Sequence, residues 1–256
     1  MIIKRTINIL CYSTLLCILL SCNVIAQTFK YLPAEINGHQ ILTYRQFTIS
    51  YNEEHEQPDW VAYELTREEA AMDRDRCNCF AKDYRVTTGS STESDYRSTG
   101  FDKGPLCPAA DNNMSDQANR ESFLMSNMSP QLPSFHRGIW AELESWVRDQ
   151  AELYNTIYVV TGPAFSNNLG TIGRNKVTIP GYFYKALLRF DDIFDDATAK
   201  TIGFLLPHVG ATGNIEDYVV PVNAIETLTG LDFFPELSSS VEDRVESQYE
   251  VKKWGF

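Results

Sequence analysis

Residues 101–144 concentrate the side chains that could do chemistry, in three stretches: FDKGPLCPAAD, FLMSNMSPQ and FHRGIWAELE. They hold an ammonium at Lys103, amides at Asn127 and Gln131, an imidazole at His136 and a carboxylate at Glu144. A neutral imidazole is a poor ligand for Mg²⁺, which prefers oxygen, and a good one for zinc or a similar transition ion. Pro105 offers the reverse, with neither a titratable side chain nor a backbone N–H. The remaining histidines, His39, His55 and His208, read as surface or loop residues, with His208 after Pro207 the one placed to approach these stretches in the fold. Asp191-Asp192 and Asp195-Asp196 lack the alternating ligands and glycine turn of a calcium loop, so a solvated loop is expected there. The chain shows no Ser-His-Asp arrangement on a nucleophile elbow and no phosphate-cradling glycine loop.

Elements must bring these residues together. Phe47, Ile49 and Tyr51 alternate along residues 46–51, and Val61, Tyr63 and Leu65 do so along 60–65, so both segments are predicted strands. Residues 87–99 are crowded with Ser and Thr and read as loop. Ser115 is placed to cap a short helix over 115–123, with Asp116 in its first turn. Ile139, Leu143, Trp146, Val147 and Tyr154 fall at helical spacing and predict a helix over about 137–154, which would carry Glu144. Residues 156–161 form a strand candidate ended by Gly162-Pro163, and 177–179, 183–190 and 201–206 continue the series. Residues 222–229 read as a helix stopped by Gly230. With no repeat, no Pro/Gly linker and no regular βαβ alternation, an α+β single domain over 27–256 is expected.

In order and spacing these segments resemble the DNA/RNA non-specific endonucleases, the ββα-metal nucleases of the Serratia type. The family pattern is Asp-Arg-Gly-His, then Ser-Asn-Met-x-Pro-Gln, then an Asn ahead of Trp-x-x-Leu-Glu on a helix. Here the chain reads Asp102-Lys103-Gly104-Pro105, then Ser126-Asn127-Met128-Ser129-Pro130-Gln131, then His136 ahead of Trp140-Ala141-Glu142-Leu143-Glu144. Val159-Val160-Thr161-Gly162-Pro163, Ile179-Pro180 and the run from Leu228 through Pro235 extend the resemblance to about residues 47–245.

The resemblance implies a ββα-metal nuclease fold, a central and mostly antiparallel sheet flanked by helices. It also implies metal-dependent hydrolysis of DNA and RNA phosphodiesters without sequence preference. In the family the strand His takes the proton of the attacking water and the Asn holds one hydrated Mg²⁺. The helix Glu orients the metal's waters, and the Arg near the His holds phosphate. By that mapping Pro105 stands at the base position, and Lys103 replaces the Arg, keeping its charge but not its two-pronged grip. His136 replaces the metal-binding Asn, which adds Mn²⁺ and Zn²⁺ to Mg²⁺ as candidate cations. Glu144 acts on the metal through water, while Asn127 and Gln131 take supporting positions, Gln131 toward substrate. Residues 101–108 are then expected on or beside a β-hairpin, with Pro105, His136 and Glu144 in one cleft. Three readings follow: a nuclease impaired by loss of its base; a reorganised site with His136 as base and the cation on Glu144, Asn127 and substrate phosphate; and a pseudoenzyme that binds nucleic acid or a protein partner without cutting.

Composition suits one globular domain, with 43% hydrophobic and 22% charged residues over 256 positions. Lys4 and Arg5 precede an apolar run over 7–20 and Val24-Ile25-Ala26, the pattern of a signal peptide ending at Ala26; a lipoprotein signal ending at residue 21, with a lipid on Cys22, is the alternative. The expectation is therefore a secreted or periplasmic protein, or one anchored at Cys22. Losing residues 1–26 would move the net charge from −12 to −14, awkward for a nucleic-acid binder, so local basic residues and a bound cation must do the attracting. Arg74, Arg76, Lys82, Arg85, Arg97 and Lys103 are the basic residues nearest the motif. Beyond the leader stand Cys77, Cys79 and Cys107, an odd number that allows one bridge from Cys107 to either of the others and leaves one thiol free.

Overall fold

The computed structural model of the protein describes residues 29–256, so the leader readings and Cys22 lie outside the described residues. In chain order the strands are β1 (Gln40–Thr43), β2 (Thr48–Asn52), β3 (Gln57–Thr66), β4 (Asp102–Pro105), β5 (Met128–Gln131), β6 (Thr156–Ala164), β7 (Thr171–Ile172), β8 (Val177–Thr178), β9 (Tyr182–Phe190), β10 (Ala199–Pro207) and β11 (Val219–Val220). The helices are α1 (Arg67–Ala70), α2 (Glu93–Tyr96), α3 (Asp116–Glu121), α4 (Pro133–His136), α5 (Ile139–Tyr154), α6 (Val222–Thr229) and α7 (Ser239–Glu246).

One seven-stranded sheet runs β1-β2-β3-β6-β9-β10-β11, antiparallel throughout, and β4 pairs with β5 in a separate two-stranded ribbon. The α+β architecture expected from the sequence is the one observed. Strand alternation splits the apolar residues between two cores. Val61, Tyr63, Leu65, Ile157, Val159 and Leu187 face the layer containing α5; Trp60, Ala62, Val160, Ala186 and Leu188 face the layer containing α6. Helix α5 contributes Trp140, Leu143, Val147 and Ala151 to the first core at the spacing of one helical face. Burying such side chains is worth about 1.5–3 kcal/mol each, so this stripe fixes the helix against the sheet and with it the position of Glu144.

The predicted helix over 137–154 begins two residues late, because Gly138 breaks it from α4. A Cβ on Gly138 would stand 2.5 Å from the Ser134 carbonyl oxygen, so the sharp turn between the helices requires glycine. Ser115 caps α3 by accepting the Ala118 N–H at 3.1 Å, and Gly230 ends α6 at φ +75°, both as expected. The loop expected over 87–99 contains a turn of helix, α2, where the Asp95 carboxylate accepts the Thr92 N–H at 2.8 Å. Among the elements the sequence reading missed are α1, α4, α7 and the strands β1, β7 and β11, of which β1 and β11 are edge strands too short to show a period.

Candidate active site

The ribbon β4–β5 carries the first two motif stretches, Asp102 opposite Gln131 and Pro105 opposite Met128, and α4 follows directly with His136. Alternation sends Asp102 to one face of β4 and Lys103 and Pro105 to the other. Gly104 lies under Gln131, whose Oε1 would be 2.1 Å from a Cβ there, so any larger residue would force the Gln131 side chain to move. Gln131 is fully buried, and neither of its side-chain polar atoms has a hydrogen-bond partner.

Asp102 is the hub of the helix side. The His136 imidazole donates from Nδ1 to Asp102 Oδ2 at 3.0 Å, and Arg137 grips the same carboxylate through Nε at 2.8 Å and a terminal nitrogen at 2.7 Å. Burial works to raise the Asp102 pKa, but the bonds from Arg137 and His136 outweigh it and hold it below the usual carboxylate range. With Nδ1 committed, His136 keeps Nε2 for a proton or a metal, the arrangement in which a carboxylate orients an imidazole.

Lys103 donates to Glu93 at 2.7 Å and lies 3.8 Å from the centroid of the Phe80 ring. The cleft beside it, about 290 Å³, is lined by Glu93, Tyr96, Arg97, Phe101, Asp102 and Lys103. This gives a phosphate two cations, one of them already paired with an acid.

Glu144 belongs to a second group. Its Oε1 is shut off from solvent and accepts no hydrogen bond. Burial pushes its pKa up to about 7, against the pull of Lys185 and with a further push from Asp111. Lys185, on β9, is fully buried, donates to Thr161 Oγ1 at 3.2 Å and stands 4.5 Å from the Trp140 ring, one helical turn before Glu144. Burial lowers the Lys185 pKa, offset by Glu144 and Asp111. Asp111 in turn binds Arg148 at 3.0 Å and accepts the Tyr63 hydroxyl at 2.8 Å. Lys185, Asp111, Arg148 and Arg137 escaped the sequence reading, although Lys185 signals itself as a lone cation inside the apolar run FYKALL. His136 is thus joined to Asp102 and Glu144 to the Lys185 group, with no hydrogen bond between the two sets among the described residues.

The structure fixes the partners of three residues whose surroundings the sequence left open or misplaced. Asn127 is fully buried and spent on the backbone: its amide nitrogen donates to the carbonyls of Cys107 and Ser122, both at 2.9 Å, and its oxygen accepts the Cys107 N–H at 3.0 Å. It staples the turn after β4. Cys107 does not bridge to the loop cysteines; it is buried in the core and free, while Cys77 and Cys79 pair with each other across a Cα separation of 5.1 Å. His208 is likewise no surface residue, being 1% exposed, with Nδ1 donating to the Pro180 carbonyl at 2.9 Å and Nε2 accepting the Leu132 N–H at 2.8 Å.

The donors suit a cation held largely through water. Among the described residues no three His, Cys, Asp or Glu side chains converge on one point, so a protein cage is excluded there. His136 Nε2 could supply one direct bond, and the unpartnered Glu144 Oε1 could receive a metal-bound water. Such a nitrogen fits Mn²⁺ or Zn²⁺ better than the inner sphere of Mg²⁺.

A sheet with a ββα module on this frame defines a class. The model of the DNA/RNA non-specific endonucleases matches residues 25–240, and the chain belongs to that family, whose members depend on a divalent cation. It is similar to the mitochondrial nuclease EXOG of Danio rerio, 31% identical over 78% of this chain and 62% of that protein, so that relative extends well beyond the match. It is similar to human mitochondrial endonuclease G, at 30% identity over 77% of this chain and 70% of that protein. Endonuclease G in its complex with the inhibitor EndoGI superposes with a TM-score of 0.73 at 27% identity, covering 81% of this chain and 89% of that one. These relatives also correct the reading of residues 1–26: they are mitochondrial nucleases, which overturns the expectation of a secreted, periplasmic or Cys22-anchored protein.

Proposed function

We propose that this chain is a divalent-cation-dependent nuclease that cleaves DNA and RNA phosphodiesters without sequence preference, and that the lost base at Pro105 leaves it slow. The observation that supports the reading is the bond from His136 to Asp102, which leaves an oriented imidazole nitrogen beside the strand where the family keeps its catalytic pair. Lys103 and Arg97 would draw the phosphate into the cleft beside β4. A bound divalent cation supplies charge neutralisation at the phosphate and the leaving oxygen. His136 Nε2 would either hold that cation or take a proton from the attacking water, with Asp102 steadying the imidazolium. Glu144, with a pKa of about 7, can accept or return a proton near neutrality. General acid–base help is typically worth roughly 10²- to 10⁴-fold, the size of the handicap expected from Pro105.

The second reading is a protein that binds nucleic acid without cutting it, favoured by Pro105 at the base position and by the pairing of Lys103 with Glu93. Incubating plasmid and single-stranded RNA with the protein in Mg²⁺, Mn²⁺ and Zn²⁺ separates the two. Metal-dependent nicking supports the nuclease, and salt-sensitive binding with intact substrate supports the binder. Finding neither at low salt would leave only a protein-partner role.

A further inference from the structure

The segment over residues 71–80 is an exposed loop, and it does two things for the site. Arg76 rests on the Phe123 ring, 5.5 Å from its centroid, and is one of the cations felt by Glu144. Phe80 packs edge-on against the same Phe123 at 5.1 Å and offers its face to the Lys103 ammonium. Between these two residues lies the Cys77–Cys79 bridge. Asn78 takes the left-handed conformation at φ +48°, which asparagine tolerates better than other side chains, so the backbone is bent to close the small ring. The Cys77 N–H donates to Asn119 Oδ1 at 3.1 Å, fixing the ring to α3.

Both sulfurs border a groove of about 500 Å³, lined also by Ala81, Gln117, Arg120, Glu121 and Leu124. Cys77 and Cys79 are exposed, so an attacking thiol can reach them. Buried Cys107, whose thiol is held protonated by burial, takes no part.

We infer that Cys77–Cys79 is a thiol–disulfide exchange site, a reducible clasp that seats Arg76 and Phe80, and through Phe80 Lys103, at the candidate active site. A thiolate attacks one sulfur, the S–S bond breaks, and the other cysteine leaves as a thiolate and is protonated. A second thiol attacks the mixed disulfide and frees the first cysteine. In sum two thiols are oxidised to one disulfide, while the protein bridge gains two electrons and two protons. The exchange chemistry stands by itself; its effect on nucleic acid rests on the nuclease reading.

Three measurements on the full chain test this. Protein isolated without reductant, blocked with N-ethylmaleimide and digested with trypsin should yield the peptide of residues 77–82 as an internal disulfide. Dithiothreitol under native conditions should convert it to the doubly alkylated form while Cys107 stays unmodified. Hydrogen exchange over residues 72–82 should then be about threefold faster or more in the reduced protein, a local opening. Affinity for a labelled oligonucleotide without added metal should fall about three- to tenfold, as the phosphate-facing cations lose their seat. The double variant Cys77→Ser/Cys79→Ser should behave like the reduced protein whether or not reductant is present. Recovery of the doubly alkylated peptide without reductant, or identical exchange over 72–82 in both forms, overturns the clasp. A clasp that passes both tests in a protein that neither binds the oligonucleotide in either form nor nicks plasmid with Mg²⁺, Mn²⁺ or Zn²⁺ overturns the nuclease reading and leaves the exchange site standing.

Discussion

The Nε2 atom of His208, at the end of β10, accepts the backbone N–H of Leu132 at 2.8 Å, so a histidine from the main sheet holds the start of the helix that carries His136. Its other nitrogen donates to the Pro180 carbonyl, and Phe135 and Phe183 pack edge-on against the ring. Replacing His208 with Ala leaves two buried backbone groups unpartnered at about 1–3 kcal/mol each, and a cavity besides. A fall in Tm on the order of 10 °C is expected in a thermal scan.

The same residue predicts an acid limb. Burial lowers the His208 pKa below its ordinary value of 6.5, so its contribution is complete above 6.5 and is lost as pH falls through the depressed folded value. Urea midpoints measured from about pH 8 to pH 4 should show this loss in the parent. His208→Gln can keep both hydrogen bonds without titrating, and should show a smaller drop.

Pro105 and His136 should be coupled. Pro105→His alone leaves the metal position an imidazole, and His136→Asn alone provides no base at 105, so each is expected to recover little Mg²⁺-dependent cleavage. Together they should raise plasmid nicking by far more than the product of the single effects, because groups that act as a unit are non-additive. If His136 with Asp102 is the working base, His136→Asn and Asp102→Asn will instead each abolish a measurable parental activity. A double variant as inert as the parent would show that loss extends beyond these two positions.

Glu144→Gln should separate stability from chemistry. The raised folded pKa means that the protonated carboxyl contributes stability in full below 4.5, lost as pH rises to about 7. The variant should therefore match the parent in Tm near pH 4 and exceed it near pH 8, while metal-dependent cleavage falls. Lower stability of the variant at the higher pH would mean that Glu144 is held there as a needed anion.

A parallel case lies in the other layer. Glu246 on α7 is buried and has an unpartnered Oε1, and burial together with Glu226, Glu242, Asp232 and Asp243 pushes its pKa up to about 9. Its contribution, complete below 4.5, is lost as pH rises toward 9. Glu246→Gln should raise Tm at about pH 8 by several degrees and leave nucleic-acid cleavage unchanged.

Asn127→Ala tests the structural role directly. It strands the Cys107 N–H and the carbonyls of Cys107 and Ser122, for a total of roughly 3 kcal/mol or more. Chemical denaturation should show that loss; reduced cleavage at unchanged stability would return Asn127 to the cation.

The sequence by itself determined the family, the α+β class and most of the elements, because these rest on local signals. Alternation at Val61, Tyr63 and Leu65 and the helical stripe from Ile139 to Ala151 follow from backbone periodicity, and Ser115 and Gly230 act within a single turn. It also carries Pro105 and His136 in the motif stretches as residue identities. Partnership was decided only by the tertiary structure. Which carboxylate His136 binds, that Asn127 is taken up by the backbone around Cys107, and that Lys185 and His208 come in from β9 and the end of β10 all depend on contacts between residues far apart in sequence. Such contacts leave no period in the chain, because they are fixed by packing of the sheet against α5 and by the need to pair every polar group that this packing buries.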